Sequence, residues 1–132
     1  MESFVQFLQS NPSNISIKNL IFSHTIIDMD LLLGLLYALT ECNSIFQVLE
    51  SFELIGVLKG SDDQILEASK LLGILISSCL KLEKLNLDDN SISTAGMRQI
   101  CDALPNSKIS TLFMGSLNIM TVLSMISSVS FV

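Results

Sequence analysis

A chain of 132 residues is sized for one domain and leaves no room for a catalytic domain beside a binding domain. Apolar residues make up 49 % and charged residues 15 %, so a core can form, but Ser, Thr and Asn must cover the outside or apolar surface must meet a partner or membrane. The net charge is −6, and the seven Lys and Arg are scattered from Lys18 to Lys108, which excludes a basic stripe able to neutralise a nucleic-acid backbone.

Residues 3–10 read as a leading helix, and Asn11-Pro12-Ser13-Asn14 turns the chain toward Ile17. Ile17-x-x-Leu20-x-Phe22 then reads as a short strand, with Ile27 after it. Asp28 or Asp30 is placed to cap a helix along Leu31–Leu39, a run too short to span a bilayer and expected to be buried. Leu49-x-x-Phe52-x-Leu54 repeats the strand pattern. Asp62 or Asp63 is placed to cap the next helix, which carries Ile65, Leu66, Ser69, Leu72, Ile76 and Leu80.

The clearest unit is Leu82-x-x-Leu85-x-Leu87-x-x-Asn90-x-Ile92, followed by Gly96 and by Met97, Ile100, Cys101 and Leu104 at helical spacing. Ser93 or Thr94 caps this helix, and Pro105 and Asn106 end it. Ile109-x-x-Leu112-x-Met114 opens a further unit. The units start at spacings of 32 (49 − 17), 33 (82 − 49) and 27 (109 − 82). The two longer ones require insertions, placed at Glu41–Phe46 and Val57–Asp62. The tail after Lys108 has no charge as far as Val132. Ile119, Val122, Leu123, Ile126 and Val129 could form a last amphipathic helix there, started near Asn118 or Thr121 and serving as an imperfect terminal cap prone to self-association.

The pattern in 82–104 resembles the leucine-rich repeat of the ribonuclease-inhibitor-like type, and the resemblance covers most of residues 3–119, with its most specific part in 82–114. It implies an α/β solenoid, a short horseshoe arc with parallel strands on the concave face and helices on the convex face. The implied single domain spans 1–132: a leading helical half-repeat (3–16), repeats at 17–48, 49–81 and 82–108, and a degenerate terminal repeat (109–132). Leu82, Leu85 and Leu87 would face the core, and Asn90 would turn inward to bond backbone groups of neighbouring turns. Ile92 would close the layer, and Gly96 would let the helix start tightly. The Asn position falls on Thr25, Val57 and Leu117 in the other units. The Thr25 hydroxyl could still bond inward, whereas Val57 and Leu117 cannot replace the amide.

Little in the chain suggests catalysis. His24 is the only histidine and has no identifiable base or nucleophile partner. Cys42, Cys79 and Cys101 lie 37 (79 − 42) and 22 (101 − 79) residues apart, without a C-x-x-C pair for zinc. They read as buried thiols of a reducing compartment, and Met1-Glu2-Ser3 lacks the start of a signal peptide, so a cytoplasmic protein is expected. Asp88-Asp89 reads as a solvated acidic rim rather than an acid–base pair. Gly56 to Ser61 lacks the order of a phosphate loop. No enzyme activity, cofactor or metal is expected. The Asn14-Ile15-Ser16 acceptor and the terminal Ser130-Phe131-Val132, which resembles a PDZ ligand, are short enough to arise by chance.

The expected function is protein binding through the concave face. That face would comprise Asn19, Ile21, Ser23 and His24; Ser51, Glu53 and Ile55; Lys84, Asn86, Asp88 and Asp89; and Thr111, Phe113 and Gly115. The mixture of acidic and apolar groups suits a protein partner with some basic character and does not suit nucleic acid. The alternative is a membrane-associated protein anchored by the uncharged tail.

Overall fold

The computed structural model describes residues 2–10 and 15–114. The Asn11–Asn14 turn, Gly115, Leu117, the tail helix with its capping and self-association, the membrane-anchor reading and the terminal Ser-Phe-Val all lie outside the described residues. In chain order the elements are α1 (Glu2–Ser10), β1 (Asn19–Ser23), α2 (Met29–Thr40), α3 (Asn43–Val48), β2 (Ser51–Ile55), α4 (Asp62–Ser78), β3 (Lys84–Asn86), α5 (Thr94–Ala103) and β4 (Thr111–Phe113). A single 3₁₀ turn at Leu104–Asn106, with Pro105 inside it, ends α5.

The strands form one parallel sheet in the order β1-β2-β3-β4. Parallel neighbours require a crossover between strands, and helices supply it here. The register aligns Leu20, Phe52, Leu85 and Leu112 in one row. Because strand side chains alternate between faces, this whole row turns to one side and joins the core. The helices α1, α2, α4 and α5 pack on one another in sequence order and close the core with Leu8, Leu32, Leu35, Leu36, Leu72, Leu75 and Ile100. The fold is mixed α/β. Among the described residues, no helix is long and apolar enough to cross a membrane.

The helix starts follow local chemistry. Asp28 caps α2, its carboxylate accepting from the N–H groups of Asp30 and Leu31 at 2.9 and 3.3 Å. Ser93 caps α5 through the Gly96 N–H at 3.2 Å. The expected cap of α4 at Asp62 or Asp63 is corrected to Ser61. The Ser61 hydroxyl accepts from Gln64 N–H at 3.2 Å, and the Gln64 side chain accepts from Ser61 N–H at 2.9 Å. This reciprocal pair satisfies two donors at once, which a carboxylate one step later cannot do. Asp62 and Asp63 instead lie in the first turn, where negative charge complements the helix dipole.

The first insertion holds an additional helix. α3 extends to Val48, beyond the expected Phe46, and buries Ile45. At Gly96 an added Cβ would lie 2.7 Å from the Ser69 hydroxyl, so the absence of a side chain lets α5 start directly against α4. Ser69 is itself buried and donates to Ile65 C=O at 2.8 Å.

Candidate functional site

The face of the sheet opposite the helices carries two register rows that cross all four strands, and a shorter third in which Ser23 pairs with Ile55. One runs Asn19, Ser51, Lys84, Thr111; the next runs Ile21, Glu53, Asn86, Phe113. The second row has apolar ends and a polar middle. Ile21 is 55 % exposed at one end and Phe113 42 % exposed at the other. Between them Glu53 is only 8 % exposed. Its Oε1 accepts from Asn86 Nδ2 at 3.2 Å and lies 3.5 Å from Lys84 Nζ. The Lys84 ammonium also sits 5.6 Å from the centroid of the Phe113 ring, within cation–π range. Asn86 Oδ1 accepts from Asp88 N–H at 3.0 Å.

Glu53 and Asn86, expected as open contact groups, are instead buried and bonded to one another, and Glu53 is also paired with Lys84. A carboxylate kept from water needs a cation and donors close by, and these two neighbours on β3 provide them. What remains open on this face is Asn19, Ile21, Ser23, Thr111 and Phe113, with Ser51, Ile55 and Lys84 half-buried.

Beyond the C-terminal ends of the strands lies a second group. His24, Gly56 and Asp89 occupy matching positions in the strand register, and all three have left-handed backbones, with φ of 49°, 64° and 61°. At Gly56 the requirement is also steric, because a Cβ would meet His24 Nδ1 at 2.6 Å. The imidazole passes across Gly56, and its Nε2 lies 3.5 Å from Asp89 Oδ2, an ion pair when the ring is protonated. Both side chains are more than half exposed, so the pair is screened by solvent. A cavity of about 230 Å³ opens beside them, lined by His24, Thr25, Ile26, Ile27, Gly56, Val57 and Lys59. Asp88 is half-buried and Asp89 exposed.

Beneath this rim Asn90 is 6 % exposed and makes four hydrogen bonds. Its Oδ1 accepts from Val57 N–H at 3.0 Å and Leu58 N–H at 2.9 Å. Its Nδ2 donates to Leu54 C=O at 2.5 Å and Leu87 C=O at 3.1 Å. Thr25, whose hydroxyl could have bonded inward, is exposed and instead donates to Ser23 C=O at 3.2 Å. Its short hydroxyl reaches only the neighbouring carbonyl on its own turn.

The three cysteines are buried and none is in a disulfide. Burial, and then the nearby Cys42 thiol, push Cys79 from an ordinary 9.0 up to about 12. Cys101 is also raised, by burial and by Asp102, with Arg98 opposing. A thiol held protonated is a poor nucleophile. Among the described residues, no group of three His, Cys, Asp or Glu is placed to hold a metal ion.

Two features escaped the sequence reading, wholly or in part. The left-handed row was signalled only by residue types that tolerate positive φ, recurring after 32 (56 − 24) and 33 (89 − 56) residues. The Lys84–Phe113 contact was only half legible: the 27-residue unit spacing (109 − 82) sets their strands side by side, but nothing in the sequence says that the Lys84 ammonium reaches across to the ring rather than into solvent. The chain matches no protein-family model and no curated protein sequence.

Proposed function

We propose that this chain is a leucine-rich repeat protein of the ribonuclease-inhibitor-like type, a short solenoid without catalytic activity, and that it binds a protein partner through the exposed face of its sheet. The observation carrying this reading is the row Ile21–Glu53–Asn86–Phe113. Its polar centre is compensated internally, so its apolar ends can be covered by a partner without leaving a buried charge unpaired. Asn90 supports the repeat assignment, because its amide ties the end of β2 and the loop after it to the turn after β3. Asp88 and Asp89 at the rim favour a partner with basic groups nearby. Three buried thiols outside any disulfide fit a reducing compartment, and the proposed location is the cytoplasm.

The test is co-purification from the native cell with identification by mass spectrometry, followed by affinity measurement on the purified pair. Ile21→Ser with Phe113→Ser should weaken binding by tenfold or more, about 1.4 kcal/mol. Ile74→Ser, on the exposed side of α4, should leave affinity unchanged. Equal binding by the face variant and the wild type would overturn the proposal.

A further inference from the structure

Strand β1 is one edge of the sheet, and the backbone bonds fix which of its groups point outward. In a parallel pair, a residue bonded to the neighbour sends both its N–H and its C=O that way, and the next residue sends both away. Lys18 C=O accepts from Glu50 and Ser51 N–H at 2.7 and 3.1 Å, and His24 N–H donates to Ile55 C=O at 2.7 Å. The even-numbered residues from Lys18 to His24 are thus turned to β2. Asn19, Ile21 and Ser23 turn their N–H and C=O groups to the other side. Among the described residues, no backbone group bonds to them there.

Two further observations bear on this edge. Asn19-Leu-Ile-Phe-Ser23 carries no charge and no proline, the usual devices that block strand addition. The row of helices also runs one member past the sheet. α2, α4 and α5 each follow a strand, whereas among the described residues α1 follows none and packs on α2. α1 brings Phe4 and Val5 to this end of the core, and both are only partly buried, as is Phe22 of β1.

We propose that the outer edge of β1 accepts an extended peptide segment of a partner protein, added to the sheet as a further strand. Its backbone pairs with the N–H and C=O groups of Asn19 and Ile21 and with the Ser23 N–H, the Ser23 C=O already accepting from the Thr25 hydroxyl. Its alternate side chains are apolar and continue the core over Phe4, Val5 and Phe22. Its free N–H groups exclude proline at the paired positions. A second copy of this chain fits less well, because the copy's α2 would be carried to the position that α1 holds. The site is distinct from the sheet face and does not depend on the reading given for it.

The test is a displayed library of random heptapeptides selected on the full chain, with affinities of the selected peptides then measured on three proteins. Ile21→Pro removes one outward N–H and no donor of the β1–β2 ladder. Ile21→Thr keeps every backbone group and removes the apolar side chain from the face. The expected result is enrichment of peptides with alternating apolar residues, bound about tenfold or more weakly by Ile21→Pro, the scale of one lost hydrogen bond, and nearly normally by Ile21→Thr. N-methylation at alternate peptide positions should abolish binding to the wild type, and this decides the matter even where Ile21→Pro does not fold. No enrichment, or binding insensitive to N-methylation, would overturn the proposal. So would a wild-type dimer lost in Ile21→Pro, which would show a second copy on the edge. Binding lost in Ile21→Thr but kept in Ile21→Pro would also overturn it, and would locate the peptide on the sheet face instead.

Discussion

The Asn90 amide uses both of its donors and bonds two N–H groups with its oxygen, all inside the protein. Removing it leaves buried backbone groups without partners. Asn90→Ala is expected to lower unfolding stability by about 1–3 kcal/mol or more. Asn90→Asp should be worse, since a carboxylate cannot donate to Leu54 and Leu87 and would be buried beside their carbonyls. Urea denaturation of the three proteins checks both statements. Cys79 gives a pH prediction. Its thiol binds the proton more tightly in the folded state than its ordinary value of 9.0 allows. The resulting stabilisation is complete below pH 9.0 and is lost as pH rises toward about 12. The urea midpoint should fall over that range, less steeply in Cys79→Ala, and iodoacetamide at pH 8 should leave Cys79 of the folded protein unmodified.

At the scale of elements, α4 depends on its reciprocal cap. Ser61→Ala should cost about 1 kcal/mol, with the loss visible as a lower thermal midpoint and unchanged far-UV circular dichroism at 25 °C. The Ser61-x-x-Gln64 signature was present in the sequence, but the adjacent Asp62 and Asp63 drew the assignment one step too far. Strands and long helices were legible because their signals are local. Leu85 and Leu87 alternate, and Met97, Ile100 and Cys101 recur at helical spacing. Helix α3 was not legible: six residues give less than two turns of periodicity, and no side-chain hydrogen bond caps its start at Cys42. On the candidate site, the open positions of Ile21 and Phe113 followed from strand alternation. The burial of Glu53 did not, since it is set by Lys84 and Asn86, 31 (84 − 53) and 33 (86 − 53) residues away.

For the whole molecule, the one-row-per-strand register means that each unit is supported mainly by its sequence neighbours. Helix contacts follow the same order, α1 to α2, α2 to α4, α4 to α5. On the proposed repeat reading, stability is expected to divide between adjacent interfaces. The interfaces are unequal. The one between β2 and β3 carries the Asn90 amide, the Glu53–Asn86 bond and the closely packed start of α5 against Ser69. At the β1 side, Thr25 stands where such an amide would stand and bonds only within its own turn.

That imbalance predicts a graded opening of the protein rather than a single all-or-none transition. The segment before β2 should detach from the rest at a smaller free energy than global unfolding, exposing the flank of β2 while β2, α4, β3 and α5 remain assembled. Native-state hydrogen exchange would show two classes. Amides of β1 and α2 should exchange through a lower-energy opening whose denaturant dependence is smaller than that of the global transition but not zero, because the detached segment exposes buried residues such as Leu32, Leu35 and Leu36. Amides of β2 and α4, including Val57 and Leu58, should exchange only through the global transition. Asn90→Ala should merge the classes by bringing the stronger interface down to the weaker one. Uniform protection across both halves of the wild-type chain would show instead that the two interfaces open together.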